Sequence, residues 1–253
     1  MSNSYFRFKQ FTVHQDKCAM KVCTDACLFG AYIAERLGDK GEEHKIVSEN
    51  TADQNPQFIL DIGTGTGLLS LMLAQKVNAL IDAVEIDKQA MQQATENFER
   101  SPWKERIKVF HSSIQSYIAP HGKYDFIITN PPFFENDLKS PQSKRNIALH
   151  STELSLQDLI TQIKRLLAKD GSFAVLLPYH RAAYFEKLAE ENGFFNAEKV
   201  LVKQTPRHDY FRAILLFEAK LVKLNHHEII IHDENGKYTK AFAGILRDYY
   251  LNL

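Results

Sequence analysis

Phe58-Ile59-Leu60-Asp61-Ile62-Gly63-Thr64-Gly65-Thr66-Gly67-Leu68-Leu69-Ser70-Leu71-Met72-Leu73-Ala74-Gln75 is the stretch that decides the fold. Its first five residues, apolar but for one acid, read as a buried strand. Glycine then alternates through Gly63, Gly65 and Gly67. Glycine lets a backbone turn tightly and lets a ligand approach it closely. The apolar run from Leu68 reads as a helix. Strand, glycine loop and helix in direct succession make a weak motif informative. Leu80-Ile81-Asp82-Ala83-Val84-Glu85 follows as a second strand. Glu85 falls about 20 residues past the loop, where a carboxylate accepts from ribose hydroxyls. The stretch therefore reads as a nucleoside site rather than a bare βαβ turn with a solvated glutamate. The alternating glycines lack the G-x-G-x-x-G spacing that seats a pyrophosphate on a helix N-terminus.

Further along, Tyr124-Asp125-Phe126-Ile127-Ile128 reads as another buried strand, running into Thr129-Asn130-Pro131-Pro132-Phe133. Two prolines cannot continue a ladder, so the strand stops there. Ligands of open α/β sheets bind at the carboxyl ends of strands. The Asn130 side-chain oxygen and the Pro131 carbonyl are two acceptors, and Phe133 offers a flat face. Together they suit a planar group carrying an NH₂. Taken alone, the same residues also suit a Pro-Pro turn capped by asparagine.

The 253 residues contain 31 Lys+Arg and 31 Asp+Glu, so no global basic field exists. A nucleic-acid partner would have to be held by a local patch. Hydrophobic content of 44% and charged content of 25% are those of an ordinary globular protein. No apolar run approaches the ~20 residues of a membrane span, and Met1 to Gln10 has no signal-peptide core. Cys18, Cys23 and Cys27 fit no common zinc pattern. Reduced thiols in a cytoplasmic protein are the expectation. His226, His227 and His232 lack a matched ligand set, so no metal is expected.

The rest of the chain alternates. Phe6 and Phe8 suggest a short strand or an N-terminal cover. Thr24-Asp25 reads as a helix start, with Gly38 as its stop. Gly38 to Gln57 is an exposed connection. A helix from about Asp87 to Arg100 precedes a strand at Ile107–Phe110, and a short helix follows Ser112-Ser113. Ser155 caps a helix bearing Leu159, Ile163, Leu166 and Leu167. Gly171–Leu177, Val200–Val202, Ala213–Phe217 and Ile229–Ile231 read as strands. His180–Glu191 and the residues from Thr239 read as helices. Alternating β and α imply a mostly parallel sheet covered on both faces. One domain is expected: a cover at 1–57, a core at 58–219, and a last strand and helix at 220–253.

The pattern D-x-G-x-G-x-G, Asp61 to Gly67, resembles motif I of class I S-adenosylmethionine-dependent methyltransferases. Asn130-Pro131-Pro132-Phe133 resembles their motif IV, in the branch that methylates exocyclic amino groups and amide nitrogens. Phe8-Lys9-Gln10-Phe11, Cys18-Ala19-Met20-Lys21-Val22, Thr24-Asp25, Leu28, Gly30-Ala31, Tyr238-Thr239 and Arg247-Asp248-Tyr249-Tyr250 narrow the likeness. They resemble a bacterial tRNA adenine-N6-methyltransferase family that modifies adenine-37 of a valine tRNA. The resemblance implies a Rossmann-like fold with a seven-stranded, mostly parallel sheet, an antiparallel edge hairpin and helices on both faces. It implies S-adenosylmethionine as cofactor, S-adenosylhomocysteine as product, and tRNA as partner. The cofactor residues it implies are Asp61, Gly63, Thr64, Gly65, Gly67, Glu85 and Ile86. Ser113 stands where many relatives carry an acid for the adenine amino group. Thr24 and Asp25 either share in cofactor binding or only cap a helix.

The implied chemistry agrees with the residues. Adenine N6 is a poor nucleophile because its lone pair is delocalised into the ring. Asn130 and Pro131 would hold both amino hydrogens and turn the lone pair toward the methyl group. Phe133 would stack on the base, beside Pro132. Lys144 and Arg145, with Lys203, Arg207 and Arg212, are the candidate phosphate contacts, or simply solvated faces. The rivals are a protein glutamine-amide N5-methyltransferase, an adenine-N6 methyltransferase of rRNA or DNA, and a nucleotide-binding module with a dead site. Glutamine methyltransferases usually carry a separate N-terminal helical domain, for which residues 1–57 leave little room.

Overall fold

The computed structural model describes residues 3–18, 20–43, 57–131 and 154–253, with backbone alone for 39–43. Two short strands, β1 (Tyr5–Arg7) and β2 (Thr12–His14), pair antiparallel. Helix α1 (Thr24–Glu43) follows. The core then alternates as β3 (Gln57–Ile62), α2 (Leu68–Lys76), β4 (Ala79–Glu85), α3 (Lys88–Glu99), β5 (Ile107–His111) and β6 (Tyr124–Thr129). Beyond residue 153 come α4 (Leu156–Leu166), β7 (Leu167–Pro178), α5 (Tyr179–Glu191), β8 (Phe195–Lys203), β9 (Tyr210–Glu218), β10 (Asn225–Ile230) and α6 (Lys240–Leu246).

Among the described residues one sheet has eight strands, in the order β10-β8-β9-β7-β6-β3-β4-β5. Every pairing is parallel except those of β9, which runs antiparallel to β7 and β8. The Rossmann-like reading stands, with one strand more than the seven expected. The extra strand is β10, which pairs parallel with β8. The late hairpin β8–β9 is therefore one strand in from the edge. Asn225 to Glu228 are exposed and polar, as an outer strand requires.

Neighbouring residues of β3 serve opposite faces, because side chains alternate along a strand. Ile59 joins a layer with Phe29, Met72, Phe98 and Phe242, so α1, α2, α3 and α6 cover that face. Leu60 joins Ile163, Phe185 and Phe173, so α4 and α5 cover the other. Helix α2 is buried all along Leu68–Ala74 because it lies between the sheet and α1. Gly30 makes that approach close: a Cβ there would sit 2.7 Å from Met72 Sδ. Ser155 caps α4 by accepting from the Asp158 amide at 3.0 Å.

Three local expectations fail. Leu167 is not on the apolar face of α4: the helix ends at Leu166, and Leu167 turns extended and opens β7. Helix α1 does not stop at Gly38 but runs on to Glu43. Gly38 has no positive φ, so nothing in its backbone ends the helix there. The short helix after Ser113 is a turn, in which the Ser116 amide bonds the Ser113 carbonyl at 3.2 Å. The two ends of the chain meet over α1 and α2. The Lys9 amide donates to the Tyr249 carbonyl at 2.8 Å, and the Tyr249 hydroxyl to Met72 O at 2.9 Å.

Candidate active site

Strand β3 has β4 on one side and β6 on the other, so the connections diverge at its carboxyl end. A crevice opens at such a switch point. Ile62 pairs with Val84 of β4 and with Thr129 of β6. Gly63, Glu85 and Asn130 therefore leave the sheet side by side. The Thr129 hydroxyl ties two of these exits together by donating to Ile62 O at 3.0 Å.

The glycine loop is held from below. The Gly63 and Thr64 amides donate to Val84 O at 2.9 and 3.2 Å. Gly63 and Gly65 have φ of 70° and 57°, and a Cβ on either would meet nothing within 4 Å. They face open space at left-handed angles that disfavour side chains. Gly67 differs: its Cβ would lie 2.4 Å from the Phe98 ring, so this glycine serves the packing of α3.

Glu85 is almost buried and uses both oxygens. It accepts from the Gly65 amide at 2.9 Å and from the Asp87 amide at 2.9 Å. Each oxygen keeps further lone-pair capacity for a hydroxyl. Asp61 is fully buried, and its Oδ2 accepts from the Thr64 and Ser70 hydroxyls at 2.6 and 2.7 Å. Its Oδ1 is buried and has no hydrogen-bond partner among the described residues. Burial pushes the Asp61 carboxyl up to about 6, against the two hydroxyls and the Ser70 amide, with the Glu85 charge adding to the rise. Ile86 is 54% exposed at the mouth of the crevice. The Ser113 hydroxyl accepts from the Ser116 amide at 3.2 Å.

Four buried side-chain oxygens lack a partner among the described residues: Asp61 Oδ1, Gln75 Oε1, Asn196 Oδ1 and, at this edge, one on Asn130. Its Oδ1 is out of solvent and unpartnered among the described residues. Pro131 is buried beside it. Leaving such an acceptor unpaired costs about 1–3 kcal/mol, so the atom is suited to receive a donor. Pro132, Phe133, Lys144 and Arg145 lie outside the described residues.

The remaining expected residues are dispersed along the same edge. Asp25 is paired with Arg212 at 2.6 Å, and Thr24 shares a side-chain hydrogen bond with Tyr250. Lys203 is 3.3 Å from Glu228 and stands over the Tyr210 ring. Arg207 is exposed. Two of the three cations thus already hold a carboxylate. Among the described residues no cluster of metal-ligating side chains occurs, and no helix is long and apolar enough to cross a membrane.

Asn97 is a site residue that the sequence reading missed. Its buried amide donates to Thr66 O and His14 O, both at 2.8 Å, and accepts from the His14 amide at 2.9 Å. It joins the glycine loop to the N-terminal hairpin. An asparagine inside a helix, where it is intrinsically unfavourable, was the available signal.

A family profile described as the methyltransferase small domain matches residues 20–204. Relatives named tRNA1(Val) (adenine(37)-N6)-methyltransferase match over nearly the full chain. The Dyadobacter fermentans protein is 42% identical over 98% of both chains. That of Cytophaga hutchinsonii is 41% identical over 100% of both. That of Trichodesmium erythraeum is 41% identical over 99% of both. Among solved structures, an Agrobacterium tumefaciens protein described as a predicted O-methyltransferase superposes with TM-score 0.59 at 15% identity, covering 78% of this chain and 92% of its own. A Listeria monocytogenes protein, provisionally assigned to the class I S-adenosylmethionine-dependent methyltransferases, gives 0.56 at 14%, covering 92% and 72%. At such identities these two speak for the fold alone.

Proposed function

The chain belongs to the tRNA1(Val) (adenine(37)-N6)-methyltransferase family, and from that premise we propose how its own residues perform the reaction. It is an enzyme that methylates the exocyclic N6 of an adenine in tRNA, at position 37 of a valine tRNA. S-adenosylmethionine supplies an electrophilic methyl group on a sulfonium. The residues present suit it. Glu85 has lone pairs left for the two ribose hydroxyls. Asp61 Oδ1, buried and unpaired among the described residues, is an acceptor for the ammonium of the amino-acid end. Gly63 and Gly65 leave the loop open where the ligand must approach, and Ile86 offers an apolar face to the adenine ring. Ser113 is committed to its own turn, so it adds no charge there. Thr24 and Asp25 support the site from the start of α1.

Asn130 Oδ1 and the Pro131 carbonyl receive the two amino hydrogens of the target base. That fixes the nitrogen and favours the pyramidal form whose lone pair attacks. Phe133 and Pro132 supply the flank of the base. Because the step is a direct displacement, positioning and electrostatics carry it. A loop adenine is already unpaired, which lowers the cost of extruding it. Arg207, Lys203, Arg212, Lys144 and Arg145 are the proposed phosphate contacts. The protein works as one domain in the cytoplasm, without a metal.

The observation that carries this reading is the buried Asn130 Oδ1, unpaired among the described residues, one step beyond the Ile62–Thr129 pair. Its test offers labelled S-adenosylmethionine with unmodified tRNA and release-factor protein side by side. Label in N6-methyladenine of the tRNA is expected. Label in protein glutamine, with none in N6-methyladenine, would overturn the reading.

A further inference from the structure

Tyr179 opens α5, directly after Pro178, and is 41% exposed. A single exposed aromatic needs no explanation. Tyr179 is not single. Its ring lies 5.2 Å from that of Tyr210 at 51°. Tyr210 is itself fixed: its hydroxyl donates to Glu228 at 2.5 Å, and Lys203 Nζ sits 4.6 Å from its centroid. Lys203 is in turn 3.3 Å from Glu228. The sequence brings these residues from four separate elements to one place. Lys203 pairs with Tyr210 where β8 and β9 meet, and Pro178 pairs with Arg212 one strand over. All lie at the sheet edge that carries Asn130.

The distance is suitable. Tyr179 is four positions beyond Val175, the register partner of Thr129. At about 3.3 Å per residue and about 4.8 Å between strands, its Cα falls on the order of 10 Å from that of Asn130. That is within reach of the nucleotides adjoining an extruded base. Exposed Arg207, in the turn between β8 and β9, adds positive charge on this edge, while Arg212 is paired with Asp25. Rigid aromatics beside cations are how single-stranded nucleic acid is held without reading its sequence.

We propose that Tyr179, backed by Tyr210, is a stacking platform for one unpaired tRNA loop nucleotide next to the target adenine. The proposal rests on the tRNA reading above and adds a second base contact to it. The platform holds the loop while Asn130 holds the base to be modified. Its role is positioning, so it acts on binding of the RNA and not on the methyl transfer itself.

The test uses the full chain and unmodified tRNA carrying, one at a time, an abasic site at each loop nucleotide beside the target. Wild-type protein should lose affinity about 5- to 150-fold at one such position, the range for one base stack. Tyr179→Ala should lose a similar factor on intact tRNA, nothing further at that position, and no affinity for S-adenosylhomocysteine. Tyr179→Phe, which keeps the ring, should restore most of the loss. If wild-type protein tolerates every adjoining abasic site, the platform is overturned whatever the variants do. Equal binding by Tyr179→Ala and wild type, or an undiminished abasic penalty in Tyr179→Ala, overturns it too. Failure of the tRNA reading looks different: wild-type protein would then place no methyl in any tRNA.

Discussion

The carboxyl edge of the sheet has two halves built on opposite plans. At the β3–β4 end these polar groups are engaged, all but Asp61 Oδ1. Val84 O holds the Gly63 and Thr64 amides, Glu85 holds Gly65 and Asp87, and two hydroxyls hold one oxygen of Asp61. At the β6–β9 end Asn130 Oδ1 has no partner among the described residues, and Tyr179 and Arg207 face solvent. The first half is a preorganised cradle, which suits a small ligand of constant shape. The second is an open platform of acceptors, rings and cations, which suits a large polyanion that brings its own order. Binding of the cofactor and activation of the base should therefore be separable by mutation.

The largest effect should come from the open half. Asn130→Ala removes one of the two proposed acceptors, whose contacts would matter most in the transition state. Single-turnover methyl transfer should fall about 10²- to 10³-fold, the cost of losing one preorganised polar contact. An unaltered rate would make Asn130 a turn residue.

The next sharpens the cradle. In the free protein Asp61 titrates near 6, above its ordinary 3.8, because it is buried. A carboxyl with a raised folded pKa favours the fold most when protonated. That contribution declines as pH rises from 3.8 to about 6 and is absent above. In the proposed site the cofactor's ammonium needs the ionised form, so affinity should drop as pH falls below 6, by up to about tenfold per unit. Calorimetry with S-adenosylhomocysteine across that range checks this. Asp61→Asn should flatten the profile and leave thermal stability at neutral pH unharmed or improved.

The smallest effect concerns charge. Arg207→Ala removes one candidate phosphate contact. The slope of log tRNA affinity against log salt should flatten by about 0.7–0.9, similarly for all tRNAs. An unchanged slope would remove Arg207 from the interface.

The cradle was legible because it is contiguous. Asp61, the glycines and Glu85 lie on one strand-loop-helix-strand unit, and their spacing is itself the signal. Asn130 was legible because two prolines mark where its strand must end. The eighth strand was legible as a strand but not as a neighbour of β8, since pairing depends on where a distant segment docks. Asp25 and Arg212 illustrate the same limit: they are separated along nearly the whole chain yet lie 2.6 Å apart. Asn97 was hidden because a polar residue on a helix looks solvated until the hairpin that covers it is placed. Gly67 looked like its neighbours, although a Phe98 ring and not a ligand is what excludes its side chain.

The division of the edge is tested most directly by S-adenosylhomocysteine affinity measured side by side for wild type, Glu85→Ala and Asn130→Ala. Loss of the carboxylate removes charge-assisted hydrogen bonds, so Glu85→Ala should bind about 10- to 100-fold more weakly. Asn130→Ala should bind within about twofold of wild type, because the proposed role of its side chain is to hold the base and not the cofactor. Equal losses in the two variants, or a loss confined to Asn130→Ala, would contradict the account.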